Sequence, residues 1–208
     1  LLADYPAPDG VDLEVGGTVE DQGDAFGDLG VLFILIVILV YIVMATQFES
    51  LLFPFIIMFT IPFAFTGVFL ALWMTSTPLS LIALIGAIML VGIVTKNGIV
   101  MVDYMNLLVE RGSGVFDAVI AGGKSRLRPV LMTSFTTILG MLPLAIGTGA
   151  GSETWQPMGI AVIGGLTCST LLTLFIIPAL YSVFVNRSQR KEKEKLARLS
   201  AEHQASVH

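Results

Sequence analysis

Val91–Tyr104 reads VGIVTKNGIVMVDY, which sets a lysine, an asparagine and an aspartate inside a largely apolar run. That run extends from about Leu79 to Leu108, enough to cross a bilayer core of roughly 30 Å, which takes about 20 helical residues. An ionisable group at that depth is costly and marks function by default. Lys96 lies near the middle of the helix, about ten residues short of the polar end at Asn106, so snorkelling to the headgroups is only partly open to it. Asp103 follows seven residues later, on the same helical face and roughly 10 Å away along the axis. It is close enough to the interface to be a boundary residue as readily as a functional one. Lys96 thus has no carboxylate partner within reach on its own helix, and the simplest source of one is a helix outside these 208 residues.

The rest of the chain has the same apolar character. Hydrophobic residues make up 55% and charged residues 13%, about half the charged share of a soluble domain, and mean hydropathy is +0.86. The sequence therefore predicts an all-α polytopic membrane protein with five spans, at about 29–48, 51–74, 79–108, 129–146 and 157–185. Pro54 and Pro62 interrupt the second span, where Thr60 and Thr66 can bond backbone carbonyls left unpaired. Residues 109–128 read as a polar loop, with Val115, Phe116, Val119 and Ile120 spaced as a short helix lying at the membrane surface. Pro129 suits the first turn of the fourth span. Ahead of the spans, residues 1–28 are acidic, and Val11–Val15 alternates as a half-buried strand does. Five residues of strand do not stand alone, so residues 1–28 read as the end of a domain lying upstream. The absence of an initial methionine and of a leader fits a piece of a longer protein. Residues 187–208 form a charged tail, read as a solvated helix or a disordered end.

Charge placement orients these spans. Of eleven lysines and arginines, Arg111, Lys124, Arg126 and Arg128 lie between spans three and four, and six more lie in the tail after Asn186. Five spans put loop and tail on one side, which the positive-inside rule makes cytoplasmic. The acidic N-terminal end then lies across the membrane. Lys96 is the one remaining cation.

Other polar residues admit plainer readings. Thr133, near Ser134, Thr136 and Thr137, can simply bond its own helix backbone. Asn97 is a candidate for cross-helix hydrogen bonding. Ala161, Gly165 and Ser169 recur every four residues, with Gly164 and Cys168 beside them, as a close-packing face between helices. Gly147–Gly151 lacks the lysine and Ser/Thr of a phosphate loop. HExxH and GxSxG are absent, no metal-ligand cluster stands out and both histidines are in the tail, so neither an enzyme nor a metal site is expected. A lone cysteine forms no internal disulfide.

Five stretches carry a family resemblance: AFGDLG (25–30), YIVMATQFESL (41–51), VGIVTKNGIVMVDY (91–104), RLRPVLMTSFTTILGMLPLAIGTGAG (126–151) and STLLTLFIIPALY (169–181). In this order they resemble the C-terminal membrane half of the resistance-nodulation-division (RND) efflux permeases, most closely the hydrophobe/amphiphile multidrug branch. The resemblance implies that the five spans are the eighth to twelfth of twelve, after the end of a periplasmic porter domain. It implies a drug:H+ antiporter of the inner membrane of a Gram-negative bacterium, driven by the proton gradient without a cofactor. Its expected partners are two further copies in a homotrimer, a periplasmic adaptor, an outer-membrane channel and the lipid bilayer, with no nucleic acid. Lys96 matches the family's relay lysine, Thr133 its relay threonine and Arg126 an arginine near the cytoplasmic end of the relay, while Asn97 and Asp103 share the same motif. The paired aspartates belong to the N-terminal half. Metal-exporting relatives carry an acidic residue in this region, so Lys96 favours organic substrates. The alternatives are an RND-type exporter of lipids or other hydrophobic molecules, and a non-transporting membrane scaffold or remnant.

Overall fold

The computed structural model describes residues 18–206 apart from 148 and 150, and the strand expected at Val11–Val15 lies outside them. Six α-helices follow one another: α1 (Thr18–Phe48), α2 (Leu52–Met58), α3 (Thr60–Met74), α4 (Leu81–Glu110), α5 (Val115–Ile146) and α6 (Ser152–Ser206). With α2 and α3 counted as one interrupted span, five are long and apolar enough to cross a membrane. The chain is thus the all-α multi-pass membrane protein that its composition implies, with no strand among the described residues.

The break between α2 and α3 falls at Phe59. Pro62 has no N–H to offer the carbonyl of Met58, which weakens the helix at that turn. The buried Thr60 hydroxyl donates to the Ile57 carbonyl at 2.6 Å beside the break. Thr66 instead donates to the Pro62 carbonyl at 2.9 Å, downstream of it.

Three boundaries differ from the sequence reading. α1 starts at Thr18, well ahead of Leu29, so the acidic segment from Thr18 continues the first span as helix. α6 starts at Ser152, ahead of Pro157, and runs on through the charged tail. The third difference affects function. Residues 115–128 are not a surface helix separate from the fourth span but the first half of α5, with Pro129 inside the helix. They are held by packing against α4. Ala118 is fully buried, Val115 and Val119 pack on the cluster formed by Met44, Met101, Met105 and Tyr181, and the space beside Gly122 is filled by Met105 Cγ, 2.7 Å from where a Cβ would sit.

The core divides along the membrane normal. One cluster joins Ala64, Val68 and Leu72 of α3 to Ala87, Leu90 and Val94 of α4 and Ala161 and Leu166 of α6. The other lies toward the basic end, around Met101, Met105, Ile177 and Tyr181. α6 runs through both, and its small residues set its approach to α3. Gly164 lies against Ala71, Gly67 against Cys168 and the Gly164 carbonyl, and Gly165 against Leu90 and Val68. Ala161 is buried in the first cluster, and Ser169 is buried with its hydroxyl on its own helix, donating to the Leu166 carbonyl at 3.2 Å.

Among the described residues, two hydrogen bonds between side chains tie the helices together. Ser134 and Thr170 share a buried hydrogen bond of 2.9 Å between α5 and α6. Tyr181, stacked on Phe53 at 5.8 Å, donates its hydroxyl to Asn106 Oδ1 at 2.6 Å. Tyr181→Phe keeps the ring and removes only that bond. Interhelical hydrogen bonds in membranes average about 0.6 kcal/mol, so the expected result is a small drop in the thermal midpoint with helical content unchanged. A drop of several kcal/mol would mean that Asn106 is left without a replacement partner.

Candidate functional site

α4 has two unlike faces. Leu90, Val94, Asn97, Met101 and Met105 form a buried spine at steps of three and four. The opposite face is uncovered along its whole length: Ile85, Met89, Gly92, Lys96, Asp103, Leu107 and Glu110 are all exposed. Their steps of four, three, four, seven, four and three repeat with the heptad period of a helix-packing seam. Among the described residues no helix covers this seam, which carries a lysine midway along α4.

The structure separates two adjacent residues of the motif. Lys96 lies on the open seam, while Asn97, about 100° further round the helix, turns into the bundle and is 8% exposed. Asn97 is therefore part of the packed side of α4.

α5 runs antiparallel to α4, and the contacts fix the register. Met105 meets Gly122, and the Arg126 guanidinium stands 4.6 Å from the centroid of the Tyr104 ring. This is a cation–π contact, and the Nε of Arg126 is buried without a hydrogen-bond partner. From that level, Lys96 lies eight residues back along α4 and Thr133 seven residues on along α5. At 1.5 Å per residue both are roughly 10–12 Å deeper, so they share a level in the membrane. Thr133 is exposed, and its hydroxyl donates to the Pro129 carbonyl at 2.8 Å. Thr133 also belongs to a stripe of exposed residues: Pro129, Thr133, Thr136, Gly140 and Pro143. Beside it runs the apolar stripe Met132, Phe135, Leu139, Leu142 and Ile146.

The arrangement thus has two levels. Near the basic end Arg126 lies over Tyr104, while Asp103, one residue before it, stands on the open seam. Deeper, Lys96 and Thr133 are both exposed and open to whatever covers them. The sequence reading missed Tyr104, although it ends the motif, because its role appears only once α5 is seated on α4.

The model of the AcrB/AcrD/AcrF family matches residues 3–185. The chain belongs to that family. It is 39% identical over 185 residues to the swarming motility protein SwrC of Bacillus subtilis, covering 88% of this chain and 18% of that protein. The multidrug resistance protein MdtC of Erwinia tasmaniensis is 44% identical over 156 residues, 74% of this chain and 15% of MdtC. The cobalt-zinc-cadmium resistance protein CzcA of Cupriavidus metallidurans is 38% identical over 187 residues, 90% of this chain and 17% of CzcA. A crystal structure of a heavy metal efflux pump superposes with a TM-score of 0.74 at 33% identity, over 82% of this chain and 17% of that one. The chain therefore spans less than a fifth of each of these relatives and is a membrane fragment of an RND permease. Proteins named for drug resistance and for metal resistance both stand among its relatives, so their names do not agree on one class of substrate.

Proposed function

We propose that this chain is the C-terminal membrane half of a proton-driven exporter of hydrophobic and amphiphilic compounds, and that it supplies the lysine side of the proton relay. The observation that carries this reading is the uncovered seam of α4, with Lys96 at mid-membrane and Thr133 at the same level on α5. In this reading an N-terminal half lays a helix with paired aspartates along the seam. While those carboxylates are charged they hold the Lys96 ammonium by electrostatics. Proton uptake neutralises them and frees the lysine, and the seam repacks between two discrete arrangements. Arg126, fixed on Tyr104, stands at the end of the same path.

The remaining parts follow from the same reading. The protein works as a homotrimer in the inner membrane, with the basic end cytoplasmic, and passes its cargo to a periplasmic adaptor and an outer-membrane channel. It needs no cofactor beyond the proton gradient and catalyses no chemical conversion. A lysine on the seam, where metal-exporting relatives are expected to carry an acid, favours organic cargo.

The test is a substrate panel. The chain is co-expressed with its N-terminal half in an efflux-deficient bacterium and challenged with an amphiphilic dye and with divalent zinc and cobalt. The expected outcome is dye export that stops when the proton gradient is collapsed, with metal tolerance unchanged. Metal tolerance without dye export would overturn the assignment of organic cargo.

A further inference from the structure

A cavity of about 730 Å³ opens at the end of the bundle away from the basic loop, where α3 and α5 finish and α6 begins. That volume falls within the usual range for small-molecule sites. Its lining changes character with depth. Thr75, Thr77 and Glu153 come from the helix ends and their connections, the outer part, while Leu142, Ile160 and Ile163 lie one to three turns further along α5 and α6, the inner part. The wall between α5 and α6 is stapled by Gln156, whose Nε2 donates to the Ala145 carbonyl at 3.1 Å.

Two observations say what kind of molecule fits. The first is depth. Both tryptophans of the chain stand exposed at this end, Trp73 near the end of α3 and Trp155 near the start of α6. Tryptophan concentrates at the membrane–water interface, so the outer part of the cavity lies at headgroup level and the inner part at acyl-chain level. The second is charge. The sequence has no lysine, arginine or histidine before Lys96 and none between Arg128 and Arg187, so no basic residue lies in any connection at this end. The C-termini of α3 and α5 and the N-termini of α4 and α6 all lie at this end, so their partial charges largely offset one another, and the Glu153 carboxylate is the one full charge in the lining.

We infer that this cavity binds one amphiphile by an ammonium head, with the head at Glu153 and the threonine hydroxyls and the chain along Leu142, Ile160 and Ile163. An anionic headgroup is excluded by the same field that admits the cation. The site is separate from the Lys96 seam and does not depend on the relay reading.

Native mass spectrometry of the chain assembled with its N-terminal half, stripped of lipid, tests this. Phosphatidylethanolamine, phosphatidylglycerol and dodecylammonium are titrated in turn against wild type, Glu153→Gln and Ile163→Trp, the last chosen to fill the inner part. One equivalent of an ammonium-headed probe is expected to bind. Glu153→Gln should weaken it about tenfold, the loss of one charge-assisted hydrogen bond, and Ile163→Trp should block it. Binding of phosphatidylethanolamine assigns the site to a membrane lipid, and binding of dodecylammonium alone assigns it to a free cationic amphiphile; either supports the inference. Phosphatidylglycerol bound as tightly as phosphatidylethanolamine, or affinity untouched by both substitutions, would overturn it.

Discussion

Lys96→Ala is expected to abolish export while the protein inserts in the membrane at least as well as wild type. The two effects have opposite signs, and that makes the substitution informative. Removing a lysine from the middle of a membrane helix eases insertion, since such a charge costs about 2.5–3.5 kcal/mol on insertion scales. In the relay reading the same substitution leaves the aspartates of the other half without their cation. Breaking a buried ion pair from one side costs about 3–5 kcal/mol, which is more than a hundredfold in the balance between the two states of the seam. Dye efflux should therefore fall to background while membrane-fraction protein stays level or rises. Lys96→Arg refines the result. Arginine keeps the charge but holds it on a planar fork that does not give up its proton, so export should remain strongly impaired. Wild-type efflux from the alanine variant would remove the relay and favour a scaffold. Full activity with arginine would show that a cation suffices without fine positioning.

How much of this was legible in the sequence depends on the range of the interaction concerned. Lys96 was legible because its depth follows from counting apolar residues on one helix. The five spans were legible for the same reason. The continuity of α5 was not. Residues 109–128 carry four cations and end at a proline, both of which argue locally for a break, so the spacing of Val115, Phe116, Val119 and Ile120 pointed to a short helix but not to its continuation into the fourth span. Met105 of α4 packs beside Gly122 within that continuation, a contact between two helices that the spacing on one of them does not record.

Asn97 illustrates a subtler limit. The resemblance set Asn97 and Lys96 in one motif, yet neighbours on a helix point about 100° apart, and one is buried while the other is exposed. The pairing of Tyr104 with Arg126 was hidden for the opposite reason. The two are distant in sequence and meet only through the antiparallel register of α4 and α5. The glycine face of α6 lies between these cases, because a four-residue repeat identifies the face without naming its partner. The structure supplies α3 and α4.

That contact carries the second large effect. Gly165→Val and Gly164→Val are each expected to leave little folded protein. A Cβ at Gly165 would fall on the Leu90 side chain, within 2.8 Å of Val68 Cγ2 and 3.1 Å of the Ala64 carbonyl oxygen. At Gly164 it would fall on the Ala71 Cβ and within 2.8 Å of the Gly67 carbonyl oxygen. The obstacles include backbone oxygens and a short alanine, which have no rotamer to move to, so the helices themselves must separate. Overpacking a tight core costs about 1–3 kcal/mol even where side chains can yield, and here the displaced contacts include the whole α3–α6 approach. Gly30→Ala is the control. Nothing lies within 4 Å of its added Cβ, and Gly30 is exposed on α1. Alanine there should be neutral or gain about 0.5–1 kcal/mol from helix propensity. Size-exclusion profiles of the solubilised protein after a heat step separate the two outcomes. The valine variants should lose the main peak at temperatures where wild type and Gly30→Ala keep it. Retention of that peak by both valine variants would mean that the close approach of α6 to α3 and α4 is not what holds the bundle together.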